Sequence, residues 1–128
     1  YLVASTVEGV LAQRLIRRLC KVCKQSYVPE PGELPEDFPA ISGRSIFKPV
    51  GCRAFREAGY AGRAGVYELL LVDKEVRRLC TTGASTGAIR EYALQHGMQS
   101  LRQSGYTRVL GGETTLEEVQ RITRGDVD

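Results

Sequence analysis

The chain has 128 residues, of which 42% are hydrophobic and 26% are charged, a composition typical of a soluble globular protein. This length suits one ordinary domain or two very small ones. The formal net charge of +3 is too small to indicate a nucleic-acid-binding protein. The longest apolar runs fall well short of the roughly 20 residues that a membrane-spanning helix needs.

The cysteine content and the first residue suggest where the chain comes from. Four cysteines without a secretory context predict a reducing compartment, so we expect a cytoplasmic protein. The chain begins with Tyr1 rather than Met, and residues 1–4 have the pattern of a strand interrupted mid-element. We therefore interpret the sequence as a fragment of a longer protein.

Residues 5–19 are predicted to form a helix after that strand, as in an α/β unit. Ser5 and Glu8 have the spacing of a capping box. The apolar residues recur every four positions: Val7, Leu11, Leu15 and Leu19. Five basic residues cluster near the predicted helix end, where a solvated surface is the simpler interpretation than a phosphate site: Arg14, Arg17, Arg18, Lys21 and Lys24.

The segment 20–61 has the composition of a small, loop-rich subdomain. Four prolines interrupt regular structure, and the acidic stretch 30–37 is predicted to be an exposed loop. Short strands are predicted near 26–28 and 45–50. Because this segment contains few large apolar residues, we expect a metal ion or a neighbouring domain to hold it together.

Residues 62–128 are predicted to contain a strand over 65–72 and then four helices. The expected start signals are Asp73, Ser85 or Thr86, Ser100, and the capping box of Thr114 with Glu117. Glycines are expected to end the first three helices: Gly83, Gly97 and Gly111 with Gly112. The pattern places Cys80 on the buried side of the first helix and His96 at the end of the second.

The cysteines form most of a structural zinc signature. Cys20 and Cys23 make a C-x-x-C pair, and Cys52 follows at the distance of a second pair, but Phe55 stands where the fourth cysteine belongs. One interpretation is a zinc site completed by water or by Glu57. The other is a degenerate site in which Phe55 packs in place of the metal.

A glycine-rich segment after the cysteines carries the candidate ligand-binding side chain. In Gly59-x-x-Gly62-Arg63-x-Gly65, the glycines allow a close backbone approach, so that Arg63 could face an anion; an ordinary turn before a strand explains the same spacing. The chain has no Gly-x-x-x-x-Gly-Lys-[Ser/Thr] loop and a single histidine, so we expect the fragment itself to catalyse nothing.

Several ordered motifs together resemble the C-terminal part of the type II secretion and type IV pilus-assembly ATPases, the general secretory pathway protein E family. They are the 2–17 segment, the three cysteines, Gly59-Tyr60-x-Gly62-Arg63-x-Gly65-Val66-Tyr67-Glu68-Leu69-Leu70, His96-Gly97-Met98-x-Ser100-Leu101, and Gly112-Glu113-Thr114-Thr115-Leu116-Glu117-Glu118-Val119. Matches of this number and order are far more specific than any single motif.

The resemblance implies an α+β fragment in three parts. Residues 1–19 would be the terminal strand and helix of a RecA-like ATPase core, 20–61 a degenerate tetracysteine metal-binding subdomain, and 62–128 a small helical C-terminal domain. The parent would be a hexameric cytoplasmic ATPase at the inner membrane, docked on a secretion or pilus platform and using ATP and Mg²⁺. Its Walker motifs would lie upstream of Tyr1.

The resemblance also implies roles for single residues and shows where this sequence departs from the family pattern. Arg63 would lie near bound nucleotide, while the fragment would otherwise serve structural and docking roles. Phe55 in place of the fourth cysteine puts zinc in question, and Ala61 stands where the family often has arginine. The alternative is a small zinc-knuckle module that binds nucleic acid or docks a protein. Direct nucleic-acid binding is not expected, because the basic cluster lacks interleaved aromatic residues.

Overall fold

The computed structural model describes residues 6–39, 44–52 and 58–124. The strands in this part of the chain are β1 (Gly9–Leu19), β2 (Gln25–Tyr27), β3 (Ile46–Lys48) and β4 (Tyr60–Leu71). The helices are α1 (Lys74–Thr81), α2 (Thr86–Gln95), α3 (Leu101–Leu110) and α4 (Leu116–Ile122), with a 3-10 turn at Pro31–Glu33. The α+β class is confirmed, whereas a RecA-like core is not confirmed by the described residues.

The helix predicted over 5–19 is wrong, because residues 9–19 form β1. β1 pairs with β4. At one end the Val72 N–H donates to the Glu8 carbonyl over 2.9 Å, and at the other the Cys20 N–H donates to the Gly59 carbonyl over 2.9 Å, so the strands run antiparallel. The strand expected over 1–4 and the predicted cap at Ser5 lie outside the described residues.

The free edge of β1 is covered by the segment that leads into α4. The Arg17 N–H donates to Glu118 Oε1 over 3.0 Å, and Thr114 Oγ1 donates to the Arg17 carbonyl over 2.8 Å. The Leu19 N–H donates to the Glu113 carbonyl over 2.8 Å. These partners lie about one hundred residues away in sequence, so the four-residue apolar spacing could not reveal them. Tertiary hydrogen bonds override local helix propensity here.

The chain groups into two compact units that cut across the segments expected from sequence. The first unit contains residues 1–13 and 67–100, and the second contains 14–66 and 101–128. Helices α1 and α2 belong to the first unit, while α3 and α4 belong to the second. The division into functional parts 1–19, 20–61 and 62–128 therefore stays a prediction.

The second unit contains two clusters of buried apolar residues. One joins the loop-rich segment to α3 and α4: Phe38, Ile46, Tyr106, Val109, Leu116 and Val119. The other contains Ile16, Val66 and Leu101. The segment 20–61 thus gains a core by sharing one with the two helices, which is one of the two solutions expected for it.

A polar contact fastens the acidic loop to α3. Asp37 accepts hydrogen bonds from Arg102 Nε over 2.6 Å and from the Tyr106 hydroxyl over 2.9 Å. The Phe38 ring meets the Tyr106 ring edge-on, with centroids 4.8 Å apart. Burial and the hydrogen bond to Asp37 raise the pKa of Tyr106 to about 12. The loop predicted to be exposed therefore ends in anchored residues.

Two predicted helix caps are confirmed, and β2 and β3 lie close to the strands predicted near 26–28 and 45–50. β2 and β3 pair antiparallel, with Ser26 opposite Phe47. Asp73 caps α1 by accepting the Val76 N–H over 2.9 Å, and Ser85 caps α2 by accepting the Ala88 N–H over 3.1 Å.

Three further expectations need correction. The cap of α4 is Thr115, which accepts the Glu118 N–H over 3.2 Å, because Thr114 is engaged with β1. Cys80 is exposed rather than buried, since α1 turns Val76 inward as its buried residue. β4 starts at Tyr60, five residues before the predicted strand. None of the helices in the described ranges has the length and apolar character required to cross a membrane.

Candidate metal centre

Three cysteines from two segments of the second unit converge. Cys20 follows β1 directly, Cys23 lies in the turn before β2, and Cys52 lies beyond β3. Their sulfur atoms all lie within 4.8 Å of one another, and the Cys20 and Cys52 Sγ atoms are 3.8 Å apart. Cys20 is buried, whereas Cys23 and Cys52 are partly exposed. The site therefore joins the turn between β1 and β2 to the segment that follows β3.

The backbone around the cysteines depends on a glycine. The Cys20 N–H donates to the Gly59 carbonyl. Gly59 has a φ of +82°, and a Cβ atom there would lie 2.7 Å from the Pro49 Cβ and 3.0 Å from the Val50 nitrogen. Any other residue would combine backbone strain with a collision. Gly59 thus allows the chain before Cys52 to pass close to the chain that holds Cys20.

The three thiols fit a thiophilic metal ion. Zinc–thiolate bonds of about 2.3 Å in tetrahedral geometry place sulfur atoms about 3.8 Å apart. The Cys20–Cys52 separation of 3.8 Å matches this value. Sulfur donors at this distance suit zinc and other soft ions and are a poor match for Mg²⁺ or Ca²⁺.

The environment of the cysteines favours ionisation of one thiol. Burial opposes ionisation of Cys20, but backbone N–H groups of Cys23 and Val22 and the neighbouring thiols outweigh it, so the Cys20 pKa is lowered. The Cys23 pKa is raised, chiefly by burial and also by the nearby thiols.

No fourth metal-ligand side chain joins the cluster among the described residues. Phe55 and Glu57, which the sequence analysis considered at this position, lie outside them. Cys80 is on α1 and His96 is at the end of α2, both in the first unit. His96 Nδ1 lies 2.8 Å from the Tyr92 carbonyl, which confirms the expected interaction with a helix end.

In the glycine-rich segment that follows the cysteines, Tyr60 and Gly65 make hydrogen bonds within the fold, whereas the Arg63 side chain is exposed. The Tyr60 hydroxyl lies 2.9 Å from Thr115 Oγ1. The Gly65 carbonyl accepts a hydrogen bond from Arg108 Nε over 2.7 Å. Arg63 lies on β4 just after Gly62, which has a φ of +78°, and its side chain is exposed. Within the described ranges, the Arg63 side chain makes no hydrogen bond or ion pair.

One buried carboxylate was not predicted from the sequence. Glu118, only 1% exposed, forms ion pairs with Arg17 over 3.0 Å and with Arg121 over 2.6 Å. Burial opposes its ionisation, but hydrogen bonds from Arg121 and Arg17 outweigh it and lower the Glu118 pKa to about 2. The Arg17 guanidinium also lies 4.2 Å from the centre of the Tyr60 ring.

Glu118 is therefore not a solvated surface charge, unlike its exposed neighbour Glu117. The local sequence signal for this role was the position of Glu118 three residues after Thr115, which is the residue that caps α4. Arg17, one of the five residues of the basic cluster, thus donates to a carboxylate of its own chain.

Fold and site together define an α+β module with a cluster of three thiols suited to hold a metal ion. A family model described as type II/IV secretion system protein matches residues 1–121. The chain therefore belongs to the type II/IV secretion system protein family, which confirms the resemblance drawn from the motifs.

Relatives from both kinds of system match nearly the whole chain. It is 42% identical over 124 residues to the type II secretion system protein HxcR of Pseudomonas aeruginosa, covering 97% of this chain and 23% of that protein. It is 40% identical over 120 residues to the type IV pilus assembly ATPase PilB of Thermus thermophilus, covering 91% and 14%. It is 40% identical over 124 residues to the type II secretion system protein E of Dickeya dadantii, covering 97% and 24%. The chain thus spans about a quarter or less of each relative's length.

Proposed function

We propose that this chain is the C-terminal region of an ATPase that powers type II protein secretion or type IV pilus assembly. The observation that carries the proposal is the family match over residues 1–121, together with the convergence of the three cysteines that the motif spacing predicted. In this role the fragment contributes structure, a docking surface and the edge of a nucleotide site. ATP hydrolysis belongs to the parent protein.

The parent protein is proposed to act as a cytoplasmic homo-hexamer at the inner membrane. Its partners would be neighbouring subunits and the platform proteins of the secretion or pilus machinery, with ATP and Mg²⁺ bound by the remainder of the polypeptide. Support for this comes from relatives named as secretion proteins and as a pilus assembly ATPase.

The cysteine site is proposed to hold a structural zinc ion. Cys20, Cys23 and Cys52 would bind it, and when bound it would supply cross-linking between the end of β1, the turn before β2 and the segment after β3. A structural metal contributes directly to folding in small subdomains with a limited core. Gly59 helps to position the cysteines, because its lack of a side chain lets the backbone bonded to Cys20 lie close to Pro49 and Val50.

Arg63 is proposed to contact nucleotide phosphate in the assembled parent protein. Its guanidinium is exposed, lies beside a left-handed glycine and has no internal partner among the described residues. An exposed arginine without such a partner is available for bidentate phosphate binding. This distinguishes Arg63 from Arg17 and Arg108, whose guanidinium groups are engaged within the fold.

The test is the ATPase activity of the parent protein carrying Arg63→Ala. We expect weaker ATP binding or slower turnover, by about tenfold or more, since a charge-assisted contact to phosphate contributes about 1.5–3 kcal/mol. Arg44→Ala, which removes another exposed arginine, is the matched control and should leave turnover unchanged. Equal kinetics for both variants, with unchanged thermal stability, would remove the nucleotide role of Arg63.

The contacts of three residues of the basic cluster support a structural role for those three. Arg17 pairs with Glu118, and Arg14 donates to the Ile122 carbonyl. Lys24 Nζ donates to the Gly112 carbonyl over 2.9 Å and lies 4.4 Å from the centre of the Phe47 ring. These internal contacts favour the secretion-motor proposal over a nucleic-acid-binding module, which would present the same cations to phosphates.

A further inference from the structure

We infer that Cys20 and Cys52 form an internal disulfide bond by exchange with a low-molecular-weight disulfide such as oxidised glutathione. The cysteine cluster is then a reversible site of oxidative modification. The inference goes beyond the proposed metal binding, because it rests on the positions of the thiols and on no bound ion.

The two sulfur atoms lie in contact with each other. The Cys20 and Cys52 Sγ atoms are 3.8 Å apart, which is the distance of a thiol–thiol hydrogen bond. A disulfide bond is about 2.05 Å long, so the atoms must approach by about 1.8 Å, a movement within the reach of cysteine side-chain rotation. This pair is therefore placed to form a bond within one chain.

Backbone contacts hold the two cysteines near each other. The Cys20 N–H donates to the Gly59 carbonyl over 2.9 Å. Gly59 in turn lies against the residues before Cys52, because a Cβ atom on it would be 3.0 Å from the Val50 nitrogen and 3.1 Å from the Gly51 nitrogen. Reacting groups that a fold holds close together react as if at a very high concentration.

The exposure of the thiols determines the order of the exchange. Cys20 is fully buried, whereas Cys52 is partly exposed. The Cys52 thiolate therefore attacks one sulfur of glutathione disulfide, forms a mixed disulfide and releases the first glutathione. The Cys20 thiolate then attacks the Cys52 sulfur and releases the second. The protein thiols lose two electrons, glutathione disulfide gains them, and the two protons end on the released glutathione thiols.

The disulfide bond and a metal ion compete for the same sulfur atoms. Metal-bound cysteines are thiolates, and oxidation of Cys20 and Cys52 leaves Cys23 as the free thiol of the cluster. Oxidation thus replaces a metal cross-link by a covalent one between the turn after β1 and the segment after β3. An excess of reduced glutathione reverses both steps, so the bond forms when the disulfide fraction of the thiol pool rises.

The experiment treats the 128-residue chain carrying Cys80→Ser, freed of metal by a chelator, with oxidised glutathione. Cys80→Ser removes an exposed thiol that would otherwise take up glutathione or link two chains. We expect the mass of the chain to fall by two hydrogen atoms, with no glutathione retained. Trypsin cuts after Lys21, which separates Cys20 from Cys23, so peptide mapping without reductant should show Cys20 joined to Cys52. The reaction should be at least about tenfold faster in the folded chain than in urea.

Two variants in the same Cys80→Ser background test the roles of the individual thiols. Cys23→Ser should still form the bond between Cys20 and Cys52. Cys20→Ser combined with Cys23→Ser should keep glutathione on Cys52 as a mixed disulfide. Glutathione retained on the Cys23→Ser chain, or a map that joins Cys23 to either other cysteine in the Cys80→Ser chain, would overturn the inference. Should these variants not fold, the map of the Cys80→Ser chain still decides the question.

The metal proposal has its own readout in the same assay. One equivalent of Zn²⁺ added before glutathione should slow the oxidation by about tenfold or more, because bound thiolates are withdrawn from exchange. An unchanged rate would contradict zinc binding, whereas the disulfide is judged on the chelator-treated chain alone. Failure of one proposal is therefore distinguishable from failure of the other.

Discussion

At the scale of single residues, Glu118 ties β1 to α4 within the second unit. Its carboxylate accepts hydrogen bonds from the Arg17 backbone N–H, from the Arg17 guanidinium and from Arg121. The side chain thus satisfies the edge of β1 and pairs with two cations, Arg17 on β1 and Arg121 in the last turn of α4. A buried carboxylate is tolerated because its oxygens are fully engaged by charged donors.

Replacing Glu118 by glutamine should lower the free energy of unfolding at pH 7 by about 2–3 kcal/mol. This loss of stability is smaller than for a fully buried ion pair, because Arg17 and Arg121 are half-exposed and solvent screens their charges. The folded pKa of about 2 lies below the ordinary value of 4.5, so the carboxylate stabilises the fold above pH 4.5. This contribution is lost as the pH falls towards 2. Urea denaturation of both proteins at pH 7 and near pH 2 should therefore show a difference that shrinks at low pH.

Glu117→Gln is the matched control, because Glu117 precedes Glu118 and is exposed. Surface substitutions of this kind change stability by about 0.5 kcal/mol or less. Equal stability of the two variants at pH 7 would contradict the structural role of Glu118.

At the scale of elements, α3 and α4 pack closely because Gly105 faces Val119. A Cβ atom on Gly105 would lie 2.7 Å from Val119 Cγ1 and 2.8 Å from Cγ2. Both residues are buried, and the valine side chain is branched and stiff at χ1. The small residue therefore determines how near the two helices approach.

Gly105→Ala should destabilise the protein by about 1–3 kcal/mol, because the added methyl group overpacks a filled interface. Helix propensity alone would predict the opposite sign, a gain of up to about 1 kcal/mol. Chemical denaturation of the variant measures which effect wins. A stabilised variant would show that the helices separate readily.

The structure offers a control within another helix. A Cβ atom on Gly87 in α2 meets nothing closer than Ser85 Oγ at 3.8 Å, so Gly87→Ala should be neutral or stabilising. In addition, Gly105→Ala combined with Val119→Ala should cost less than the sum of the single variants, since the smaller side chain relieves the overpacking.

At the scale of the whole molecule, the two compact units differ in how their interiors are built. The second unit contains both clusters of buried apolar residues. In the first unit, the buried apolar residues among those described are Val76 and Ala93. Polar contacts supplement them there: Arg90 pairs with Glu68 over 2.8 Å, and the Tyr92 hydroxyl donates to Asp73 over 2.8 Å.

Backbone amides of α3 and α4 should therefore exchange with solvent more slowly than those of α1 and α2. Opening free energies are highest where buried apolar contacts are densest. Native-state hydrogen exchange followed by mass spectrometry measures both pairs of helices in one sample. Equal protection in the two units would show that polar contacts stabilise the first unit as well as the apolar cores stabilise the second.

Several features followed from the sequence alone. The caps at Asp73 and Ser85, the positions of β2 and β3 and the grouping of the three cysteines were all correctly predicted. Helix caps and short strands are local features. A cap acts over three residues, and a short strand depends largely on the β-propensity of its own side chains. The cysteine grouping followed from ligand spacing, which the chemistry of tetrahedral metal binding constrains.

Only the tertiary structure decided the state of residues 9–19 and the roles of Thr114, Thr115 and Glu118. The apolar residues whose spacing predicted a helix lie instead in a strand, where Leu11 and Leu15 are exposed and Ile16 is buried. What selects the strand is hydrogen bonding to β4 on one edge and to residues 113–118 on the other. Contacts between residues so far apart in sequence leave no periodic trace in either segment, so they become visible only when the chain is folded.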